Sequence, residues 1–249
     1  MTSLQDRFTK FLFVLFFLSM ASYGQRVKKI SNYYKWFDGI IGIENTGLYR
    51  GVEYVEAYRT INDEHKFFES PLFREGSIVY GGEPYFNVPM KYDLNEDQVL
   101  VNLDSKYGFS VFKLIQDQIS DFTLDGHHFV RVNYKDKSGS NISGFEEILV
   151  SNPYFTFLKK YRKTPLERTK DRRLYYEFKS KNRYSLIYRE VYYEVKNQND
   201  IKKIFSEYKK EINGYSNKPL KNYDFDKYMK NVLEIVYASM TKDIKTSNP

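Results

Sequence analysis

Asp93, Asn95 and Asp97 stand at the first three ligand spacings of a calcium-binding loop, and Asp104 falls at its twelfth position. Alternating oxygen ligands would suit a hard cation. Gln98, however, occupies the place of the glycine that lets such a loop turn, and Val99-Leu100-Val101 already has the pattern of a strand. The segment therefore reads as a turn whose Asp and Asn side chains bond the local backbone. His127 and His128, two of only three histidines, are the next candidates for metal or acid/base chemistry. Adjacent residues of a strand point to opposite faces, so the pair is a poor chelate and reads as the shoulder of a hairpin. Glu146 and Glu147 diverge for the same reason, whereas glycosidase carboxylates must face one another across a sugar. Gly139-Ser-Asn-Ile-Ser-Gly144 lacks the spacing of a nucleophile elbow and reads as a flexible loop. The chain carries no phosphate-cradling glycine loop, zinc spacing or dinucleotide fingerprint. No catalytic residue, metal ligand or cofactor is expected.

The most distinctive polar feature is a charge run. Lys159, Lys160, Arg162, Lys163, Arg168, Lys170, Arg172 and Arg173 stand against Glu167 and Asp171 alone, a local excess of six positive charges. With Tyr161, Tyr175 and Tyr176 as stacking surfaces, a cytosolic protein so built would suggest RNA. In an exported protein the partner becomes another anionic component, a glycan, lipopolysaccharide or protein, and no nucleic acid is expected. The plainer alternative is a solvated loop and strand face.

The elements that must carry these residues alternate with a period of two from about Gly76. Phe86, Val88, Met90 and Tyr92 form one apolar face, with Pro89 marking an edge or a bulge, and Val99, Val101 and Leu103 form another. Phe122-Thr-Leu124, Asp125-Gly126 and His127–Tyr134 predict a β-hairpin with a type I′ turn. Further strands are expected at Phe145–Val150, Tyr154–Leu158, Leu174–Phe178 and Tyr184–Val195, the last broken midway. Between residues 26 and 70, short aromatic segments separated by glycines suit strands and turns. Near Asn199 the period changes to that of a helix. Ile201, Ile204, Phe205, Tyr208 and Ile212 form one stripe, capped by Asn199 or Asp200 and ended by Gly214. A polar loop with Pro219 precedes a second helix capped by Asp224 and bearing Phe225 to Tyr237. The fold expected is α+β: an antiparallel sheet-rich body, sandwich or open barrel-like, over 30–195, followed by an antiparallel helical pair over 199–241.

At 249 residues with 41% hydrophobic and 18% aromatic content, the chain can bury a real core, and disorder is excluded. The absence of cysteine excludes disulfide scaffolds, thiolate chemistry and a lipid-modified N-terminal Cys. Arg7 and Lys10 precede the apolar run Phe11–Leu18, too short for the roughly 20 residues of a spanning helix. Small residues follow at Ser22 and Gly24, so 1–24 reads as a signal peptide cleaved near Gln25. The remaining 25–249 is expected to form a single domain without a transmembrane segment, in the periplasm or secreted.

The run Gly76–Asp97 resembles a segment of an uncharacterised exported protein family of Bacteroidetes-type bacteria. Asn45-Thr46-Gly47, Ile119-x-x-Phe122-x-Leu124 leading to Phe129, and Tyr192-Tyr193 before a helix near Asp200 extend that resemblance. It implies export and a sheet followed by helices, and brings no activity or catalytic residue. The functional expectation is a non-catalytic binding or assembly protein of the cell envelope; the alternative is a hydrolase of envelope or dietary polymers.

Overall fold

The computed structural model describes residues 32–34, 36, 39–61, 63–105, 108–135, 139 and 141–247. The expected signal peptide lies outside them. Thirteen strands are present among the described residues: β1 (Val52–Glu53), β2 (Arg74–Tyr80), β3 (Glu83–Asp93), β4 (Gln98–Ser105), β5 (Gly108–Lys113), β6 (Ile119–Leu124), β7 (His127–Lys135), β8 (Asn141–Ser151), β9 (Phe155–Lys160), β10 (Lys163–Lys170), β11 (Arg173–Ser180), β12 (Arg183–Tyr188) and β13 (Val191–Val195). Eleven make one antiparallel sheet, ordered β1-β5-β4-β3-β2-β6-β7-β8-β9-β12-β13, while β10 and β11 form a separate two-stranded ribbon that a parallel bridge joins to Thr60 at Tyr176. The sheet does not close into a barrel.

Apolar alternation gives this sheet its first core. Tyr92, Phe122, Phe129 and Phe145 meet there, with the rings of Phe122 and Phe129 stacked at 4.7 Å. Pro89 is accommodated in both ways open to it. It lies where β3 runs beyond its pairing with β4, beside a bulge at Gly76/Ser77 where Asn87 takes a φ of 55°.

The helical layer covers β9, β12 and β13 and builds a second core from Phe155, Phe157, Leu186 and Val195 against Ile201, Met229, Val232 and Leu233. It holds more than the expected pair: α1 (Gln198–Ile204), α2 (Lys209–Gly214), α3 (Lys218–Tyr223) and α4 (Phe225–Ser247). The first expected helix breaks after Ile204, because Phe205 leaves helical geometry with φ −107° and ψ 60° before a short 3-10 turn. Its cap is Asn197, and Asp200 accepts from the Asn197 amide to complete a capping box. The segment expected as a polar loop contains α3, because Asn217 accepts the Leu220 amide and Pro219 sits in the first turn, where no amide is needed. Asp224 caps α4, accepting the Lys227 amide at 2.9 Å.

Two other expectations change. Residues 32–34, 36 and 39–41 are helical, with 3-10 turns at Ile43–Asn45 and Gly47–Arg50, so β1 is the one named strand among the described residues of a region expected to hold several. Asn141–Gly144 opens β8 instead of forming a loop, because its backbone pairs with β7 from Lys135 to Val132. No described helix is long and apolar enough to cross a membrane.

Candidate functional site

The β10–β11 hairpin leaves the main sheet between β9 and β12. Sequence reasoning missed β10, Lys-Thr-Pro-Leu-Glu-Arg-Thr-Lys, since it shows no apolar alternation and contains a proline. The strand exists because β11 supplies its hydrogen bonds over eight paired positions, from Lys163 opposite Ser180 to Lys170 opposite Arg173. Asp171 and Arg172, at φ 51° and 59°, turn the chain at the tip. The base is held firmly. Tyr58 packs edge-on against Tyr176 and Phe178 at 4.9 and 5.3 Å, and the amides of Ile61 and Tyr176 bond to Tyr176 and Arg59 carbonyls. Residues 165–174 beyond it are exposed on both faces.

Paired residues share a face of the ribbon. Leu166, Arg168 and Lys170 therefore lie beside Glu177, Tyr175 and Arg173, and Lys179 opposite Thr164 continues the same row. This face gathers the cations. Arg168 neutralises Glu177 at 2.9 Å, Lys179 reaches Glu64 at 2.9 Å, and the Arg59 guanidinium lies over Tyr175. Lys179, Tyr175 and Arg59 fall outside the charge run; only a two-residue period carried through β11 would have placed Tyr175 and Lys179 on this row.

The eight residues of the charge run do not form one surface. Lys159 is buried, its ammonium 2.6 Å from Asp226 of α4 and over the Tyr161 ring. Lys160 lies 2.6 Å from Asp97, and burial lowers its proton affinity despite that carboxylate. Lys163 donates to the carbonyls of His65 and Phe67, at 2.8 and 3.0 Å. Arg162 is exposed next to the hairpin base. Arg168, Lys170, Arg172 and Arg173 remain on the projecting arm, and they are the part of the run available to a partner.

The other candidates are absorbed by the fold. Asp93 Oδ1 accepts the amides of Asn95 and Glu96, as its turn reading requires, and its Oδ2 meets buried Lys66 at 2.8 Å. Asp97 takes the Tyr92 hydroxyl at 2.5 Å, Gln116 and Lys160. His127 Nδ1 lies 2.7 Å from Glu147, whose second oxygen accepts from Tyr161; His128 turns instead to Asp121. Burial, followed by Glu147, raises the Tyr161 hydroxyl far above an ordinary tyrosine, so it stays a donor. Glu146, on the opposite face, accepts from Ser185 and Tyr192 at 2.6 and 2.8 Å. The two adjacent glutamates thus each hold a separate pair of donors across the sheet.

A comparison with protein-family models, curated proteins and solved structures finds no match to this chain in any of the three, so its functional reading stands on this geometry.

Proposed function

We propose that this chain is an exported, non-catalytic binding or assembly protein of the cell envelope, and that it meets an anionic envelope component through the basic face of the β10–β11 hairpin. One observation carries this reading: the arm projects beyond its clamped base with both faces in solvent, Arg168, Lys170 and Arg173 on one of them and Arg172 at the turn. Such an arm adds little apolar burial to the fold, and an isolated two-stranded ribbon is at best marginally stable. The rigid base supplies what the arm lacks. The hydrolase alternative receives no comparable support, since Glu146 and Glu147 are on opposite faces with all four carboxylate oxygens engaged.

Retention on immobilised lipopolysaccharide and on polygalacturonate tests the proposal. Lys170, Arg172 and Arg173 are exposed and can be replaced together by Gln, while Arg168 is kept because it neutralises Glu177. Wild type should be retained on at least one polymer and the triple variant lost by roughly tenfold with an unchanged melting temperature, because exposed charges contribute little to stability. Equal retention of both proteins, or none of either, contradicts it.

A further inference from the structure

At the end of β9 and β12 away from the hairpin, the β8–β9 turn, the β12–β13 turn, the 3-10 turn Ser206–Tyr208 and the last third of α4 surround a groove. It consists of two adjoining cavities of about 530 and 400 Å³ that share Pro153, Tyr154 and Arg189. Tyrosines furnish much of the walls, and three of them are backed by another ring. Tyr154 packs on Tyr237 at 5.9 Å, Tyr188 on Phe205 at 4.7 Å, and Tyr134 stacks on Tyr192 at 5.9 Å. Such backing fixes ring orientation before any ligand arrives, which lowers the ordering cost of binding.

Polar groups of every kind line the same space. Asn152 Oδ1 is consumed by the amides of Tyr154 and Phe155, which fixes the carboxamide and leaves its Nδ2 donors without a partner among the described residues. Glu190 and Glu207 are exposed and likewise unpartnered there, and the Arg189 guanidinium rests over the Tyr188 ring at 5.0 Å. Tyr208 bonds Asp243, and burial together with that carboxylate pushes its hydroxyl up to about 12, so it keeps its proton at neutral pH. An anionic ligand would meet Glu190, Glu207 and Asp243, and a cationic one would meet Arg189. A neutral ligand dense in hydroxyls uses both signs, because each hydroxyl donates and accepts, and its apolar ring faces match tyrosine walls.

We propose that this groove binds a segment of neutral oligosaccharide, with Tyr154 and Tyr188 as the platform and Asn152, Arg189 and Glu207 as the groups that read its hydroxyls. The site is separate from the basic hairpin, at the other end of the same two strands, and its ligand is uncharged. Binding should therefore resist salt and survive the triple hairpin variant.

Saturation-transfer NMR and titration of the full exported chain with cellotetraose, chitotetraose and mannotetraose test this, with tetralysine as the competing ligand class. At least one tetrasaccharide should bind saturably, and Tyr154→Ala with Tyr188→Ala should weaken it by roughly tenfold or more. If the tyrosine variant does not fold, Glu207→Gln decides alone, since the Glu207 side chain is exposed and makes no hydrogen bond or ion pair among the described residues; it should weaken binding several-fold without moving the melting temperature. No binding of any tetrasaccharide, undiminished binding by the folded variants, or tighter binding of tetralysine overturns the proposal.

Discussion

Lys66 shows what a buried charge requires in this fold. Its ammonium lies 2.8 Å from Asp93 and 3.2 Å from Glu56, under the rings of Tyr54, Tyr58 and Phe67. Burial alone would drive off its proton, but Asp93 and Tyr54 outweigh burial and raise its affinity above an ordinary lysine. Burial also opposes the charge of Glu56, yet the Tyr54 hydroxyl, the Tyr58 amide and Lys66 together hold its carboxyl below the usual value. A depressed carboxyl stabilises the fold above its unfolded value, near about 4.3, and that contribution is lost as pH falls through the lower folded value. Hydrogen exchange should therefore show the bonded amides of Tyr54, Tyr58, Ile61 and Glu64 losing protection below about pH 4 while β6 and β7 keep theirs; simultaneous loss would contradict this. Gly144 makes a sharper case. At φ 124°, a Cβ there would lie 2.0 Å from Asp97 Oδ2 and 2.6 Å from Lys160 Nζ. Gly144→Ala should cost about 2–4 kcal/mol in denaturant unfolding, from backbone strain and a disturbed, partly buried ion pair. The local role of Asp93 was legible from its turn. Its bond to Lys66, like that of Asp97 to Lys160, depends on distant chain segments meeting and was not.

Among the elements, the β6–β7 hairpin is the one most fully written in local sequence. Asp125 and Gly126 take φ 50° and 82°, and Phe122 pairs with Phe129 across the turn. Gly126→Val should lower stability by about 1 kcal/mol or more, because a β-branched residue resists positive φ; an unmoved denaturation midpoint would contradict that. Asp171-Arg172 and Arg189-Glu190 make turns of the same kind with no glycine to announce them. The break of Tyr184–Val195 was nevertheless legible, because apolar strands flank it. The hairpin tip was not, because β10 buries almost nothing and so carries no hydrophobic period. The same physics explains the charge run. Sequence density cannot distinguish cations folded inward onto a carboxylate, such as Lys159 and Lys160, from cations aimed at solvent, such as Lys170 and Arg173. The helical break at Phe205 was hidden differently: a bend that keeps Ile201, Phe205 and Ile212 buried preserves the stripe that predicted one helix.

At the scale of the whole molecule, one sheet serves two cores and presents two proposed surfaces. The six residues of β9 span about 20 Å between the groove at Tyr154 and the root of the basic arm at Lys160. An assembly protein built this way would hold a neutral glycan at one end and an anionic component at the other, with the rigid sheet setting their separation. The anionic contact is the central claim, and its salt dependence tests it most directly. Wild type and the Lys170, Arg172, Arg173→Gln variant would be titrated with polygalacturonate at about 0.05 M and about 0.3 M salt, a range over which screening shortens well below 10 Å. The account predicts that wild-type affinity falls steeply with salt, while the variant binds roughly tenfold more weakly at low salt and shows a shallower dependence. Equal affinities and equal salt slopes for the two proteins would contradict it.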